Sequence, residues 1–308
     1  MISVVMPSSG RDSAVLRTLE SLRGQRPPED EFEVVVIDTG MDDETSAAVP
    51  RSSQGAFPLQ IGRASGGPAA GRNLGARLAR GSVLLFLDDD KAPVSNDLIA
   101  RHAELHRVRP EAEYGVLGAS TWTPDRPVSP LMRWLEGEGG GQFAFSKIEP
   151  GLVPAGTYFY TANASLKKEM LDRVGGFNER FTQAALEDIE LGVRLEAAGL
   201  ELDFRPELRA FHDHPVDLAG SLQRAERVGR AASLFMEIHP KAHHDQIARP
   251  SRPKVVAARV SRPLWSSIAK HERPAPLLPA AWRVLHILAY DEGLTSGLSG
   301  TPAARTSR

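Results

Sequence analysis

Ser82-Val83-Leu84-Leu85-Phe86-Leu87-Asp88-Asp89-Asp90 is an apolar run that ends abruptly in three acids. A strand buried on both faces reads as a continuous apolar run rather than an alternation, and such strands belong to parallel sheets. Immediately upstream, Gly81 breaks a helical stretch from Gly67 to Arg80 that carries Leu74, Leu78 and Ala79 on one face. Further upstream, Phe32 to Ile37 is nearly continuous in Val and Ile, and Ile2 to Met6 is a short β-rich run stopped by Pro7. Between those two runs, Val15, Leu16, Leu19 and Leu22 recur at helical spacing until Gly24 and Pro27-Pro28. Phe57 to Ile61 predicts one more short strand. This alternation of strand and helix predicts an α/β fold with an open, Rossmann-like, mostly parallel central sheet flanked by helices. Ligands of such sheets bind outside the carboxyl ends of the strands. Those ends hold Pro7-Ser8-Ser9-Gly10-Arg11, Asp38-Thr39-Gly40 and Asp88-Asp89-Asp90.

Downstream, the pattern is more mixed. Gly115 to Trp122 and Tyr158 to Ala162 are strand-like, and Ser165 to Val174 predicts a helix stopped by Gly175-Gly176. Leu186 to Ala198 predicts an amphipathic helix ended by Gly199. Pro206 divides two short strands, Leu202 to Arg205 and Leu208 to Phe211. Leu218 to Ile238 is a long helical stretch. Beyond it, Pro250, Pro253, Pro263, Pro274, Pro276 and Pro279 predict short pieces, and the Gly-, Ser- and Thr-rich residues after Tyr290 predict a frayed end. The expected division is a first domain over 1–216, with halves of about 1–120 and about 121–216, followed by a helical, basic extension over 217–308 with a frayed tail.

Composition narrows the chemistry. With no cysteine, disulfide frameworks, thiolate metal sites and a cysteine nucleophile are excluded, which fits a reducing compartment. The net charge of −2 hides an asymmetry: residues 217–308 hold 14 Lys/Arg against 7 Asp/Glu, leaving the rest of the chain at −9. Such an extension either contacts an anionic membrane surface or is a solvated tail. Trp265, Trp282, Leu285, Ile287 and Leu288 among Arg249, Arg252, Lys254, Arg259, Arg262, Lys270, Arg273 and Arg283 suit interfacial docking, or else pack back on the protein. Met1 runs straight into the first apolar stretch without a basic leader, and no apolar stretch approaches a membrane span, so the expected location is cytoplasmic or peripheral on the inner face of the membrane. No nucleic-acid-binding module appears, so nucleic acid is not an expected partner.

Three consecutive aspartates repel one another, and a divalent cation relieves that repulsion. Mg²⁺ and Mn²⁺ take oxygen ligands and bridge carboxylates to phosphate oxygens. The bland alternative is a solvated turn or a helix cap. Gly66-Gly67-Pro68-Ala69-Ala70-Gly71-Arg72-Asn73 opens a helix whose free amides suit a diphosphate, and Arg72 is a bidentate phosphate donor; the turn lacks the spaced glycines of a dinucleotide fingerprint.

The ordered set of motifs resembles the family 2 glycosyltransferases of GT-A fold. It consists of Val4-Val5-Met6-Pro7, Val36-Ile37-Asp38-Thr39-Gly40, Gly67-Pro68-Ala69-Ala70-Gly71-Arg72-Asn73-Leu74-Gly75 and Leu85-Phe86-Leu87-Asp88-Asp89-Asp90. There follow Thr161-Ala162-Asn163-Ala164-Ser165-Leu166, Gly175-Gly176-Phe177-Asn178-Glu179-Arg180-Phe181, Glu187-Asp188-Ile189-Glu190-Leu191-Gly192-Val193-Arg194-Leu195 and His212. The resemblance implies a nucleotide-diphosphate sugar as donor, with a UDP-sugar favoured, and a glycan, lipid-linked or small-molecule acceptor. It implies Asp38 at the base, with Pro7 and Arg11 lining the same pocket, Arg72 by the nucleotide and Asp88 near the ribose. Asp89 is permitted in the donor site but not required. It implies Asp90 as ligand of a divalent metal, Mn²⁺ or Mg²⁺, with His212 as a further ligand and His214 as its alternative. Glu187-Asp188 resembles the family's Glu-Asp pair, whose aspartate is the general base of inverting members; an ionised carboxylate can take the proton of an attacking sugar hydroxyl. Acids are also simply common in the first turn of a helix. Asn163, Gly175 and Gly176 are expected on the sugar and acceptor side. Trp122, Trp134, Tyr158 and Tyr160 either stack on sugar faces or pack in the core.

Two rivals share these features. A nucleotidyltransferase acting on a sugar phosphate has similar acidic metal chemistry, but it carries a basic glycine-rich loop after the first strand, where this chain has Pro7-Ser8-Ser9-Gly10-Arg11. A non-catalytic nucleotide-sugar-binding protein would keep the fold without the acidic residues that are present here.

Overall fold

The computed structural model describes residues 1–9, 14–27, 31–140, 144–240, 247–271 and 275–298. In chain order the elements are β1 (Ile2–Ser8), α1 (Ala14–Arg23), β2 (Phe32–Asp38), α2 (Asp43–Ala48), β3 (Leu59–Arg63), α3 (Pro68–Leu78), β4 (Val83–Leu87), β5 (Lys91–Pro93), α4 (Leu98–Val108) and β6 (Tyr114–Trp122). Then come α5 (Pro130–Glu136), β7 (Gly151–Val153), α6 (Ala155–Tyr158), β8 (Asn163–Lys167), α7 (Lys168–Arg173), α8 (Glu187–Ala197), β9 (Glu201–His212), α9 (Leu218–Ile238), α10 (Arg252–His271) and α11 (Leu278–Leu298). They form two compact units. One comprises residues 1–126 and 145–214, the other residues 127–144 and 215–308.

The first unit is built on one mixed sheet in the order β3-β2-β1-β4-β8-β6-β9-β5, with β7 also on β9. Strands β3, β2, β1 and β4 are mutually parallel, and β8 enters antiparallel between β4 and β6. The continuous apolar runs arise because both faces of the strands are covered. Ile2, Val4 and Met6 of β1 and Val83, Leu85 and Leu87 of β4 face α1 and its Val15, Leu19 and Leu22. Val5, Leu84 and Phe86 point the other way, into the core completed by α3, α7 and α8.

Two strand assignments differ from expectation. Tyr158 to Ala162 is not a strand; the strand is Asn163–Lys167, because β4 pairs residue for residue with it, Leu87 opposite Asn163 and Val83 opposite Lys167. Pro206 does not divide two strands. Arg205 pairs with Gly118 and Arg209 with Ala119, so residues 206–208 form a bulge on an unbroken β9. Proline lacks the amide a ladder needs, and a bulge is where that is tolerated.

Buried polar groups cross this unit between α4 and β8. The Ser165 hydroxyl lies 2.8 Å from His102 Nδ1 and 2.8 Å from His106 Nε2, and Lys167 Nζ stands 3.3 Å from His106 Nδ1. Burial pushes the His102 imidazole down to about 4. His106 is held well below the usual imidazole value, by burial first and then by the charge of Lys167.

The second unit is helical. Its prolines do not chop it into pieces. Pro253 and Pro279 sit in the first turns of α10 and α11, where an amide would lack a helical partner in any case, and Pro263 is carried inside α10. After Tyr290 the described residues are helical, since α11 runs to Leu298 against α9, and the expected frayed end beyond it lies outside the described residues. Its glycines are there for close approach. A Cβ on Gly293 would meet the Glu226 carbonyl at 2.0 Å, and one on Gly229 would meet that of Tyr290 at 2.1 Å. Trp134 of α5 lies against Trp282 of α11, and Leu131, Leu135, Ile268 and Leu285 complete this core.

Candidate active site

The carboxyl ends of β1, β2 and β4 and the N-termini of α3 and α8 bring the polar residues of the first unit together. Helix α3 begins at Gly67, whose φ of 86° and contact with the Thr182 carbonyl leave no room for a side chain; a Cβ there would lie 2.0 Å from that oxygen. Gly71 and Gly75 let the same helix approach β1 and β2, since their Cβ atoms would meet Thr39 at 2.8 Å and Val5 at 2.4 Å. One turn in, Arg72 is 4% exposed. Its guanidinium donates to Asp88 Oδ1 at 2.9 Å and to Glu187 Oε1 at 2.8 Å. Burial disfavours the charge on Arg72, but Asp88, Glu187 and Asp188 outweigh it and raise its pKa. Arg72 therefore organises the carboxylates of two elements, rather than standing clear for a phosphate as its place in the glycine-rich turn led us to expect. Arg72 Nε and Glu187 Oε2 are buried with no hydrogen-bond partner, so the cluster retains unmet polar capacity.

Glu187 and Asp188 open α8. The residue before them, Leu186, is left-handed at φ 61°, an unusual conformation for a bulky side chain. Such strain is retained where the surroundings over-determine a backbone, often at functional sites. Glu187 is buried, whereas Asp188 is half-buried and accepts from the Ile189 amide at 2.9 Å.

Asp38 ends β2 with both oxygens engaged. Oδ1 accepts from the amides of Gly40 and Met41 at 2.9 and 2.8 Å, and Oδ2 from Arg63 at 2.9 Å. Burial pushes this carboxyl up, but those amides and the guanidinium outweigh it and hold it below the usual range. Pro7 lies in register beside Ile37, in the strand pair that ends on Ser8 and Asp38. Arg11 lies outside the described residues. Asp89 faces inward at 2% exposure: the Ser8 hydroxyl donates to its Oδ2 at 2.8 Å, and the Thr18 hydroxyl to its carbonyl at 2.7 Å, tying β4 to β1 and α1.

Asp90 and His212 come together across the β5–β9 ladder, with Oδ1 and Nδ1 3.2 Å apart. Between them stands a residue to which the sequence reading gave no role. Lys91 pairs directly opposite His212, is 2% exposed, and places Nζ 2.7 Å from His212 Nδ1 and 3.7 Å from Asp90 Oδ1. Burial, and then the Lys91 charge, push the His212 imidazole down to about 4, so it is neutral near pH 7. His214 is exposed, with its ring centroid 6.1 Å from that of His212. Trp122 is buried with its ring 5.5 Å from that of His212. As arranged, this donor set does not fit a divalent ion: two expected ligands converge, but on an ammonium group, and no cluster of three His, Asp or Glu suited to a metal occurs among the described residues.

On the expected sugar side, the structure places Asn163 inside the sheet at 1% exposure, its amide donating to the carbonyls of Ala119 and Leu208 at 3.1 and 2.9 Å across the β9 bulge. That use of its side chain is structural. Gly175 and Gly176 both have positive φ, 79° and 75°, and Asn73 clamps the turn by bonding both the amide and the carbonyl of Phe177. A Cβ on Gly176 would meet Asn73 Oδ1 at 2.7 Å.

Comparison with known proteins agrees with this architecture. A family model described as glycosyl transferase family 2 matches residues 3–173. The validoxylamine A glucosyltransferase of Streptomyces hygroscopicus subsp. limoneus is 31% identical over 279 residues, which is 77% of this chain and 58% of that protein. The uncharacterized glycosyltransferase YfnE of Bacillus subtilis (strain 168) is 28% identical over 260 residues, 69% of this chain and 65% of that protein. The chain thus spans less than two thirds of the length of these curated relatives. Among solved structures, the mannosyltransferase PcManGT of Pyrobaculum calidifontis, in complex with GDP-Man and Mn²⁺, superposes with a TM-score of 0.65 at 17% identity, covering 98% of this chain and 88% of that one. The TarS 1–349 structure from S. aureus, in complex with UDP, gives 0.55 at 16% identity, covering 97% and 92%. The sheet order, the residues gathered at its carboxyl edge and a family match over more than half of the sequence lead to one conclusion: the chain has the GT-A fold and belongs to glycosyl transferase family 2.

Proposed function

We propose that this chain moves a sugar from a nucleoside diphosphate sugar to a hydroxyl acceptor with inversion, and that Asp188 is its general base. The observation that carries the reading is the convergence of Asp88, Glu187 and Asp188, from the end of β4 and the first turn of α8, onto the buried guanidinium of Arg72 in α3. Arg72 and Glu187 set the first turn of α8, and Asp188 follows on its more exposed side. Its carboxylate takes the proton of the acceptor hydroxyl as that oxygen bonds to the anomeric carbon. The bond from that carbon to the diphosphate breaks, and the nucleoside diphosphate leaves with the electron pair. The engaged carboxylate of Asp38 and the end of β1 at Pro7 supply the wall for the base. GDP-Man and UDP in the solved structures named above support a nucleotide-sugar donor, with UDP-sugars to be tried first. The relative named for validoxylamine A supports including small molecules beside glycan and lipid-linked acceptors.

Asp188→Asn keeps the shape and removes the base. Transfer is expected to fall by about 10²–10⁴-fold, measured as product formation, while nucleotide binding by calorimetry stays within a few-fold. Undiminished transfer in this variant overturns the assignment.

For the helical unit we propose contact with an anionic bilayer through α10. No described helix is long and apolar enough to cross a membrane. Trp282, Leu285 and Leu288, which the sequence offered for docking, are buried instead. The exposed large apolar residues of α10 are Val256, Val260 and Leu264, spaced four apart at 59%, 78% and 59% exposure. That helix carries Arg252, Lys254, Arg259, Arg262 and Lys270 and no acidic residue, a composition that complements anionic lipid.

A further inference from the structure

Asp90 Oδ1 and His212 Nδ1 are two electron-pair donors 3.2 Å apart. Two neighbouring ligands of one octahedral dication sit about 3 Å apart, so this pair has the spacing of a metal bite. The cation the pair shares is Lys91. An ammonium group can only donate, so His212 Nδ1 accepts from it at 2.7 Å, and the Asp90 carboxylate faces the same nitrogen at 3.7 Å. The backbone fixes this placement. Lys91 stands opposite His212 in the antiparallel ladder, and the Asp213 amide donates to the Asp90 carbonyl at 3.1 Å beside it. All three side chains are at most 7% exposed, so the ammonium is not a surface group that happens to fold inward. A dication and an ammonium repel one another at such separations, so the two compete for this one pair of donors.

We infer that Lys91 is the resident cation of the Asp90–His212 pair, standing where the family resemblance leads one to expect a divalent metal, and that the chain binds its nucleotide without a metal held by those two residues. The last clause rests on the donor-site reading above; the assignment of Lys91 does not. A built-in cation carries one charge rather than two and needs no uptake from solution. Removing it takes away a buried positive charge that faces both donors, and the vacated position should then recruit an ion.

The test uses the metal-stripped full chain and Mn²⁺ alone, with free Mn²⁺ followed by electron paramagnetic resonance. The wild type is expected to show no Mn²⁺ site that depends on Asp90. Lys91→Met should gain one, at least about tenfold tighter than any binding by the wild type. Adding Asp90→Asn should remove it. Lys91→Arg keeps a cation and should exclude Mn²⁺ as the wild type does. Thermal melting establishes that each variant is folded. A wild-type Mn²⁺ site abolished by Asp90→Asn overturns the proposal whatever the lysine variants do. So does a folded Lys91→Met protein that binds Mn²⁺ no better than the wild type. In parallel, UDP and GDP binding to the wild type is measured with and without EDTA. Equal affinity supports the metal-free clause, and affinity lost to EDTA and restored by Mn²⁺ overturns it. If neither nucleotide binds under any condition, the donor-site reading fails, while the Mn²⁺ titration still decides the role of Lys91.

Discussion

Gly67 is a single residue on which two parts of the site depend, because the loop that leads to Glu187 and Asp188 rests its Thr182 carbonyl against it. Gly67→Ala adds a Cβ at a positive φ and at 2.0 Å from that oxygen. We expect a loss of about 1–3 kcal/mol in stability, read by urea denaturation, with weaker nucleotide binding as the loop lifts from α3. A variant as stable as the wild type would show that the loop is not held there. At this scale the sequence displays some of the site and conceals the rest. Asp88, Arg72 and Glu187 belong to recognisable motifs, but that Arg72 spends its guanidinium on the other two follows from a contact between residues 115 apart in sequence. Lys91 leaves its only trace in its place directly after the triplet, and nothing local shows that β9 will set His212 opposite it. Asn163 sits in a family motif, yet its amide is consumed by a bulge that no local pattern announces.

Among the elements, β1, β2 and β4 were legible because burial on two faces forces a continuous apolar run. Elements whose regularity comes from tertiary packing were not. β9 survives Pro206 because β6 tolerates three unpaired residues, and the last part of α11 is helical because its glycines let α9 approach. Helix α10 is the element with a test of its own. The full chain is expected to sediment with vesicles containing phosphatidylserine, to leave neutral phosphatidylcholine vesicles in the supernatant, and to be released by salt. Val260→Glu combined with Leu264→Ser should lower the bound fraction several-fold without changing the helical circular dichroism. Equal partitioning of variant and wild type would remove α10 as the docking element.

For the molecule as a whole, the buried histidines set a dependence on pH. An imidazole in the unfolded chain takes up a proton near 6.5, whereas folded His102 and His212 do so only at about 4. Between these values the unfolded state binds more protons, so stability falls as the pH drops from about 6.5 towards 4 and is level above that window. His102 alone is expected to contribute up to about 3 kcal/mol of this loss. Calorimetric melting from pH 7.5 to 4.5 should show the decline, and His102→Gln should make it shallower; a parallel decline in the variant would assign it elsewhere.

The same buried row has a direction. Lys167 can only donate, so His106 Nδ1 accepts, and the proton of that ring is on Nε2. The Ser165 hydroxyl then accepts a hydrogen bond from His106 Nε2 and donates one to His102 Nδ1, leaving the His102 hydrogen on Nε2, the other ring nitrogen. One ammonium at the end of β8 thus writes the tautomers of two imidazoles and the rotamer of a hydroxyl, and an acceptor in its place would reverse the polarity of the whole line.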